Sequence, residues 1–390
     1  PFPGRPMLRM MSDDPSAAVN SGKLDWFGRK EMDPAFASVA FALSKPGDIS
    51  DPVRTQSKRP MTLVDLLSIP RLDDPQISRD GRRIVFSLRT TDWAGNRRVP
   101  QIWQVGADGS GLRRLTSIDA GAGSARWSPD GSTIAFLSRG QISLVPADGG
   151  TPRPLSQHAT PVSDIAWHPD GTSIYYLAND PPTDIQRERE RLRGDIRVLD
   201  EFRLRHLWRI DVADGKATRV TGGDDSVFGY RIAPDGRRVV ISRRPTPLPA
   251  DTDRMELWSL AADGSEPVQL TTNRIPEASG ELSPDGSQVL FLARANHRLE
   301  PYYNANVFLV PASGGTARAL MPDFPHEVLA AGWAIDSRSI WMVVNMGVRS
   351  ELFQVDLASR QPRRLTTGDH AIVGEPYWSV VNDRQVFVID

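Results

Sequence analysis

The chain has no cysteine among its 390 residues. That excludes a disulfide framework, a thiolate zinc site and a cysteine nucleophile. Charge of one sign is also missing: 47 Lys and Arg stand against 48 Asp and Glu, a net charge of −1. Nothing in that balance draws the chain to nucleic acid or to an anionic membrane surface. No run of about 18 apolar residues occurs, so no membrane-spanning helix is predicted and no membrane insertion is expected. A signal-peptide hydrophobic region is not visible either; the expectation is a soluble protein of the cytoplasm or periplasm.

Catalytic signatures are absent in the same way. No serine sits in Gly-x-Ser-x-Gly, and His-Glu-x-x-His does not occur. The six histidines, at 158, 168, 206, 297, 326 and 370, have no metal-ligand spacing. Gly106-Ala107-Asp108-Gly109-Ser110-Gly111 lies between two predicted strands, so it reads as a hairpin turn and not as a phosphate cradle. No catalytic residue, metal or cofactor is expected.

What is present is a repeat. Trp127-Ser128-Pro129-Asp130-Gly131 is turn chemistry, because Pro fixes φ, Asp bonds its own backbone and Gly accepts a positive φ. The apolar run Ile134-Ala135-Phe136-Leu137 follows, as expected of a strand covered on both faces. Equivalent turns are anchored at Asp80, Asp170, Asp235, Asp285 and, worn, at Asp336; the spacings are 50, 40, 65, 50 and 51 residues. Each copy continues with a second apolar strand, such as Leu257-Trp258-Ser259-Leu260. A Gly turn and a short closing strand such as Leu270-Thr271 complete it. Four strands per unit at this period predict an all-β fold, a seven-bladed β-propeller. Six blades are full. Glu375-Pro376-Tyr377-Trp378 and Val386-Phe387-Val388-Ile389 supply only the opening of a seventh. The half blade predicts a thin wall beside the first blade, with Ile84 and Phe86 incompletely covered.

The spacing of 65 comes from an insertion in the third blade, where Asp184-Ile185-Gln186-Arg187-Glu188-Arg189-Glu190-Arg191-Leu192-Arg193 reads as a charged helical arm. Glu188 and Glu190 are candidate substrate-gating or contact residues on it, and Glu190 is placed to pair with Arg193. A second candidate surface is the loop of the fifth blade, with Arg298, Tyr302 and Tyr303. Just before the repeat, Met61 to Leu67 predicts a short helix with Thr62 as N-cap, Asp65 at N3 and Ile69-Pro70 as its stop.

Two resemblances follow from particular residues. Leu63-Val64-Asp65-Leu66-Leu67-Ser68-Ile69-Pro70-Arg71-Leu72, running through Ser78-Arg79-Asp80-Gly81 to Phe86, resembles the start of the propeller in prolyl-oligopeptidase-family serine peptidases, as in dipeptidyl aminopeptidases and acylaminoacyl peptidases. It covers residues 61–390. The resemblance implies a peptide substrate and an α/β-hydrolase domain in cis that carries the catalytic triad, with the propeller gating access to it. A TolB-like binding propeller, acting in protein–protein interaction, is the alternative reading. Residues 1–60 form a separate segment. Within it Leu24-Asp25-Trp26-Phe27-Gly28-Arg29, Ala40-Phe41-Ala42-Leu43 and Pro46-Gly47-Asp48-Ile49 resemble the C-terminal half of a parvulin-type peptidyl-prolyl isomerase. That resemblance implies a small α+β fragment with a helix over 34–43 and a vestigial proline pocket at Met32 and Phe36. Residual isomerase activity is a further alternative, although residues 1–60 hold no His and no Cys where the family places catalytic residues.

Overall fold

The structure, a computed structural model, describes residues 59–193 and 202–367, and the backbone alone of Met7–Ser12, Ala37–Ala42, Ile372–Val373 and Gln385–Ile389. The chain divides into two compact units: Pro1–Ala125 with His370–Asp390, and Arg126–Asp369. Strands dominate both. They form seven four-stranded antiparallel sheets, the blades of a β-propeller.

Six sheets run in simple sequence order and are the six repeats predicted above. The fourth blade shows the plan: Ser226–Ile232, Arg238–Arg244, Glu256–Ala261 and Val268–Gln269, each paired with the next. The turn between the first two strands shares one bond in all six copies, the N–H two residues after the Asp donating to its Oδ1; a Ser hydroxyl joins it in the first, second and fifth. In the second blade Ser128 Oγ donates to Asp130 Oδ1 at 2.5 Å, the Ser132 N–H donates to the same oxygen at 3.0 Å, and Gly131 takes φ 71°. Because the carboxylate accepts these bonds, Asp130 and Asp285 are held below the ordinary range, the hydroxyls of Ser128 and Ser283 contributing most. The aspartates are therefore consumed by turns. The apolar run that follows is buried at its centre, with Ile134, Ala135 and Phe136 at 0% exposure and Leu137 half-buried. Burial of each large side chain of this kind contributes about 1.5–3 kcal/mol.

Tryptophan indoles stitch neighbouring blades. Trp167 Nε1 donates to the Arg126 carbonyl at 3.0 Å, and Trp333 Nε1 donates to the Glu281 carbonyl at 3.0 Å. Tyr230 Oη donates to Asp164 and Tyr175 carbonyls of the preceding blade. These bonds give the interior polar atoms partners where apolar faces meet.

The seventh sheet departs from the sequence expectation. Its order is Ala37–Ala42, Met7–Ser12, Gln385–Ile389, Ile372–Val373, so two strands near the start of the chain join the two near its end. The helix expected over 34–43 is a strand at Ala37–Ala42. Pairing explains the reversal: six consecutive residues of Met7–Ser12 match six of Ala37–Ala42, and Val39 and Phe41 suit a pleated surface. The expected exposure beside the first blade is also corrected, since Ile84 is 0% and Phe86 1% exposed, packed with Leu72, Ile77, Leu88 and Val105. The short helix is found at Leu63–Ser68 with a full capping box: Thr62 Oγ1 accepts from the Asp65 N–H, and Asp65 accepts from the Thr62 N–H at 2.9 Å.

Candidate functional site

A polar device recurs at one end of the blades. A residue of the third strand faces a Ser or Thr just past the end of the fourth. In five blades the hydroxyl accepts the N–H of the residue fourteen positions earlier: Thr116 from Ile102, Ser156 from Ile142, Thr221 from Leu207, Thr271 from Leu257 and Thr366 from Leu352, at 2.8–3.0 Å. The hydroxyl proton then needs an acceptor. Gln101 and Gln141 provide it in the first two blades, each at 2.8 Å. In the sixth, Thr366 donates to Glu351 Oε2 at 2.5 Å, while Arg364 donates to Glu351 Oε1 at 2.5 Å. The buried charge of Glu351 is thus paired and hydrogen-bonded. In the third blade His206 takes the position, fully buried, with Arg219 donating to its Nε2 at 2.6 Å. Burial, and then the Arg219 charge, lower the His206 pKa.

The fourth blade breaks the pattern. Glu256 opens its third strand, but Gln269 stands where the sixth blade has Arg364. Thr271 instead donates to Glu277 Oε2, from the first strand of the fifth blade, and Asn273 Nδ2 donates to Glu277 Oε1 at 2.5 Å. Glu256 Oε2 is left buried with no hydrogen-bond partner among the described residues, although Thr271 and the Asn273 N–H act on the carboxylate. Burial pushes the Glu256 carboxyl up. Burial also pushes Glu277 up to about 7, with the nearby Glu256 charge adding to the push.

Glu256 lies in the wall of a cleft of about 290 Å³. Arg243 lines that cleft, its guanidinium 3.8 Å from the centre of the Trp258 ring and its Nε 3.3 Å from Asp225. Arg244 is committed to structure, donating to the Thr246 and Pro247 carbonyls and to Thr252 Oγ1. Arg254 holds Asp251 at 3.0 Å with its side chain 62% exposed. Arg274, at the rim, is exposed. Four guanidinium groups against Asp225 and Glu256 make the cleft cationic.

The residues singled out in the sequence lie elsewhere. Glu188 and Glu190 are exposed on the helix Asp184–Arg193, as expected of the arm. Ion pairs on the arm include Glu188 with Arg191 at 2.7 Å and Asp184 with Arg187. Arg193 Nε donates to the Arg189 carbonyl. Tyr302 and Tyr303, 41% and 72% exposed, have ring centres 4.5 Å apart, and Arg298 is exposed on the turn before them. Among the described residues no hydrogen bond or ion pair joins Glu188 or Glu190 to Arg298, Tyr302 or Tyr303. Met32 and Phe36 lie outside the described residues. The cleft escaped the sequence reading because its lining residues come from separate strands and loops of the fourth blade, Asp225 to Arg274, with no local spacing that marks them as one site.

The comparisons with known proteins bear out both resemblances. A dipeptidyl-peptidase 5 of Porphyromonas gingivalis is 23% identical over 376 residues, 86% of this chain and 53% of that protein. An acylaminoacyl peptidase from Pyrococcus horikoshii superposes with TM-score 0.59 at 15% identity, covering 79% of this chain and 48% of that one. The β-propeller domain of a trilobed protease from Pyrococcus furiosus superposes with TM-score 0.55 at 13% identity, covering 78% of this chain and 86% of that one. At such identities the structural likenesses establish the fold and no more. The chain spans about half the length of the peptidases it matches. Residues 7–58 match the rotamase family model, the PPIC-type PPIASE domain.

Proposed function

We propose that this chain is the non-catalytic, substrate-gating propeller part of a serine peptidase of the prolyl-oligopeptidase family, working with an α/β-hydrolase domain in cis on peptide substrates. The observation that carries the reading is the similarity to dipeptidyl-peptidase 5, which runs over 376 residues and accounts for 53% of that protein. In this reading residues 61–390 carry the propeller repeats, residues 1–60 are a parvulin-like segment without isomerase activity that lends the strands Met7–Ser12 and Ala37–Ala42 to the seventh sheet, and the arm with Glu188 and Glu190 and the loop with Arg298, Tyr302 and Tyr303 are the surfaces that meet substrate. The nucleophile and its base belong to the second domain, since no serine here sits in the required elbow sequence.

A chromogenic dipeptide assay tests this on the chain alone and on the chain extended by the sequence that follows Asp390 in its gene. The expected result is turnover by the extended protein only, abolished by a serine-reactive phosphonate. Turnover by the 390-residue chain alone, or a gene that stops after Asp390, overturns the reading.

A further inference from the structure

We propose that the two outer places of the seventh sheet are a docking site for the segment of chain that follows Asp390, and that Met7–Ser12 and Ala37–Ala42 yield those places to it. The inference rests on the reading that the chain continues past Asp390, as the peptidases it matches over about half their length do, and not on the chemistry of the continuation. In each of the other six sheets the four strands are consecutive along the chain. Gln141–Pro146 follows Thr133–Ser138 directly, and Ser350–Asp356 follows Ser339–Asn345. In the seventh sheet Ile372–Val373 and Gln385–Ile389 hold the first two places, antiparallel, with Ile372 opposite Ile389. The other edge of Gln385–Ile389 is taken by Met7–Ser12, and the fourth place by Ala37–Ala42. A strand beginning just after Asp390 reaches that same edge through a hairpin. Closing so short a loop costs less entropy than recruiting strands from the far end of the chain.

Four features mark the present occupants as substitutes. Third strands elsewhere carry pairs such as Ile102-Trp103, Leu257-Trp258 and Val307-Phe308, whereas Met7–Ser12 has no β-branched or aromatic residue and suits a pleated surface less well. Fourth strands elsewhere are two or three residues long, and Ala37–Ala42 has six. The hydroxyl cap of five blades joins residues fourteen apart, a spacing that two strands separated by residues 13–36 do not offer. Both strands also fall within the 7–58 match to the rotamase model, outside the propeller repeat. The segment that fits the edge is therefore a β-hairpin with an apolar and aromatic strand, a Gly turn, and a Ser or Thr fourteen residues on from the strand.

The test is amide hydrogen exchange, read by mass spectrometry, on the 390-residue chain and on the chain extended by its downstream sequence. Residues 7–12 are expected to be protected in the first and to exchange as unstructured peptide in the second, while residues 385–389 stay protected in both. Met10→Pro removes an N–H from the middle of the strand; it should lower the melting midpoint of the 390-residue chain by about 5 °C and leave the extended protein unchanged. Val386→Pro, in a strand that both arrangements pair, should lower both midpoints. Protection of residues 7–12 retained in the extended protein overturns the proposal. So does its absence in the 390-residue chain, a Met10→Pro loss equal in both proteins, or a gene that ends at Asp390 or continues without such a hairpin. An extended protein that passes these tests and cleaves no peptide upholds the strand exchange and refutes only the peptidase reading.

Discussion

The fourth and sixth blades solve the same problem with opposite results. Each has a glutamate at the start of its third strand, Glu256 or Glu351, and just past its fourth a threonine whose hydroxyl caps a strand N–H. In the sixth blade the threonine and Arg364 both turn to the glutamate, so a fully buried carboxylate has a partner on each oxygen. In the fourth, one substitution of type, glutamine for arginine, and one competing carboxylate, Glu277, divert those partners. The lesson is that a repeat fold tolerates an unfinished polar network in one copy while other copies complete theirs. A copy relieved of its structural pairing is where a cleft with unpaired groups arises.

The largest expected effect comes from making the sixth blade resemble the fourth. Arg364→Gln removes the guanidinium from Glu351, whose side chain has no exposure, and leaves the charge uncompensated. A loss of about 2–3 kcal/mol is expected, moderated because Arg364 itself is partly solvated. Urea denaturation with a constant slope measures it. A loss too small to detect would mean that Thr366 alone suffices for Glu351.

The second effect is the pH dependence that arises where the fourth and fifth blades meet. Glu277 has its carboxyl raised from 4.5 to about 7 by burial and by Glu256; Thr271 and Asn273 donate to it. Because the folded value is the higher one, the unfolded chain releases the proton first as pH rises. Stability from this group is present in full below pH 4.5, falls through the interval, and is lost above about 7. The fall is at most about 3 kcal/mol from the shift. Glu281, raised to about 7 by burial, acts in the same window, so the wild-type slope contains both. Glu277→Gln should flatten the melting profile between pH 5 and 7 without abolishing the slope. An unchanged profile would show that Glu277 is ionised in the folded chain.

Which parts of this were legible in the sequence follows from distance along the chain. The Asp-Gly turns and the strands after them are local, and both stand where the repeat placed them. Thr62 as N-cap and Asp65 at N3 are local too, and both make their bonds. The closing Leu-Thr and Leu-Ser pairs were visible as strand ends, but their hydroxyls act on a strand fourteen residues away. The repetition of Ser or Thr at that offset from an apolar residue was the available signal. Glu256 and Glu277 come together only through contact between blades, which no local pattern encodes. Ala37–Ala42 reads as a helix by composition, and its pairing with Met7–Ser12 overrides that preference.

The third effect is the reverse conversion, making the fourth blade resemble the sixth. Gln269→Arg offers Glu256 the donor it lacks and is expected to raise stability by about 1 kcal/mol at a pH where that carboxyl is ionised. The gain should vanish in acid, because a protonated carboxyl attracts no guanidinium. A melting-midpoint comparison of the two proteins at pH 8 and pH 4 checks both halves, and equal midpoints at pH 8 would show that the arginine faces solvent.

The smallest effect is expected where the same chemistry stands in water. Glu188 and Arg191 approach to 2.7 Å, nearly as close as the 2.5 Å between Glu351 and Arg364. The arm helix Asp184–Arg193 buries no residue, and the Glu188 and Arg191 side chains are 56% and 68% exposed. Solvent screens such a pair, and the two long side chains lose freedom by holding one geometry, so short distance does not translate into stability. Arg191 lowers the Glu188 pKa through its hydrogen bond, yet that shift reports a contact between mobile, hydrated groups. Glu188→Ala is therefore expected to leave the melting midpoint unchanged, in low salt and in high salt. The same substitution in the extended protein should alter the Michaelis constant for peptides if the arm meets substrate. A midpoint that falls with Glu188→Ala would mean the arm is packed against something that excludes water, and the contrast between buried and exposed pairs would have to be redrawn.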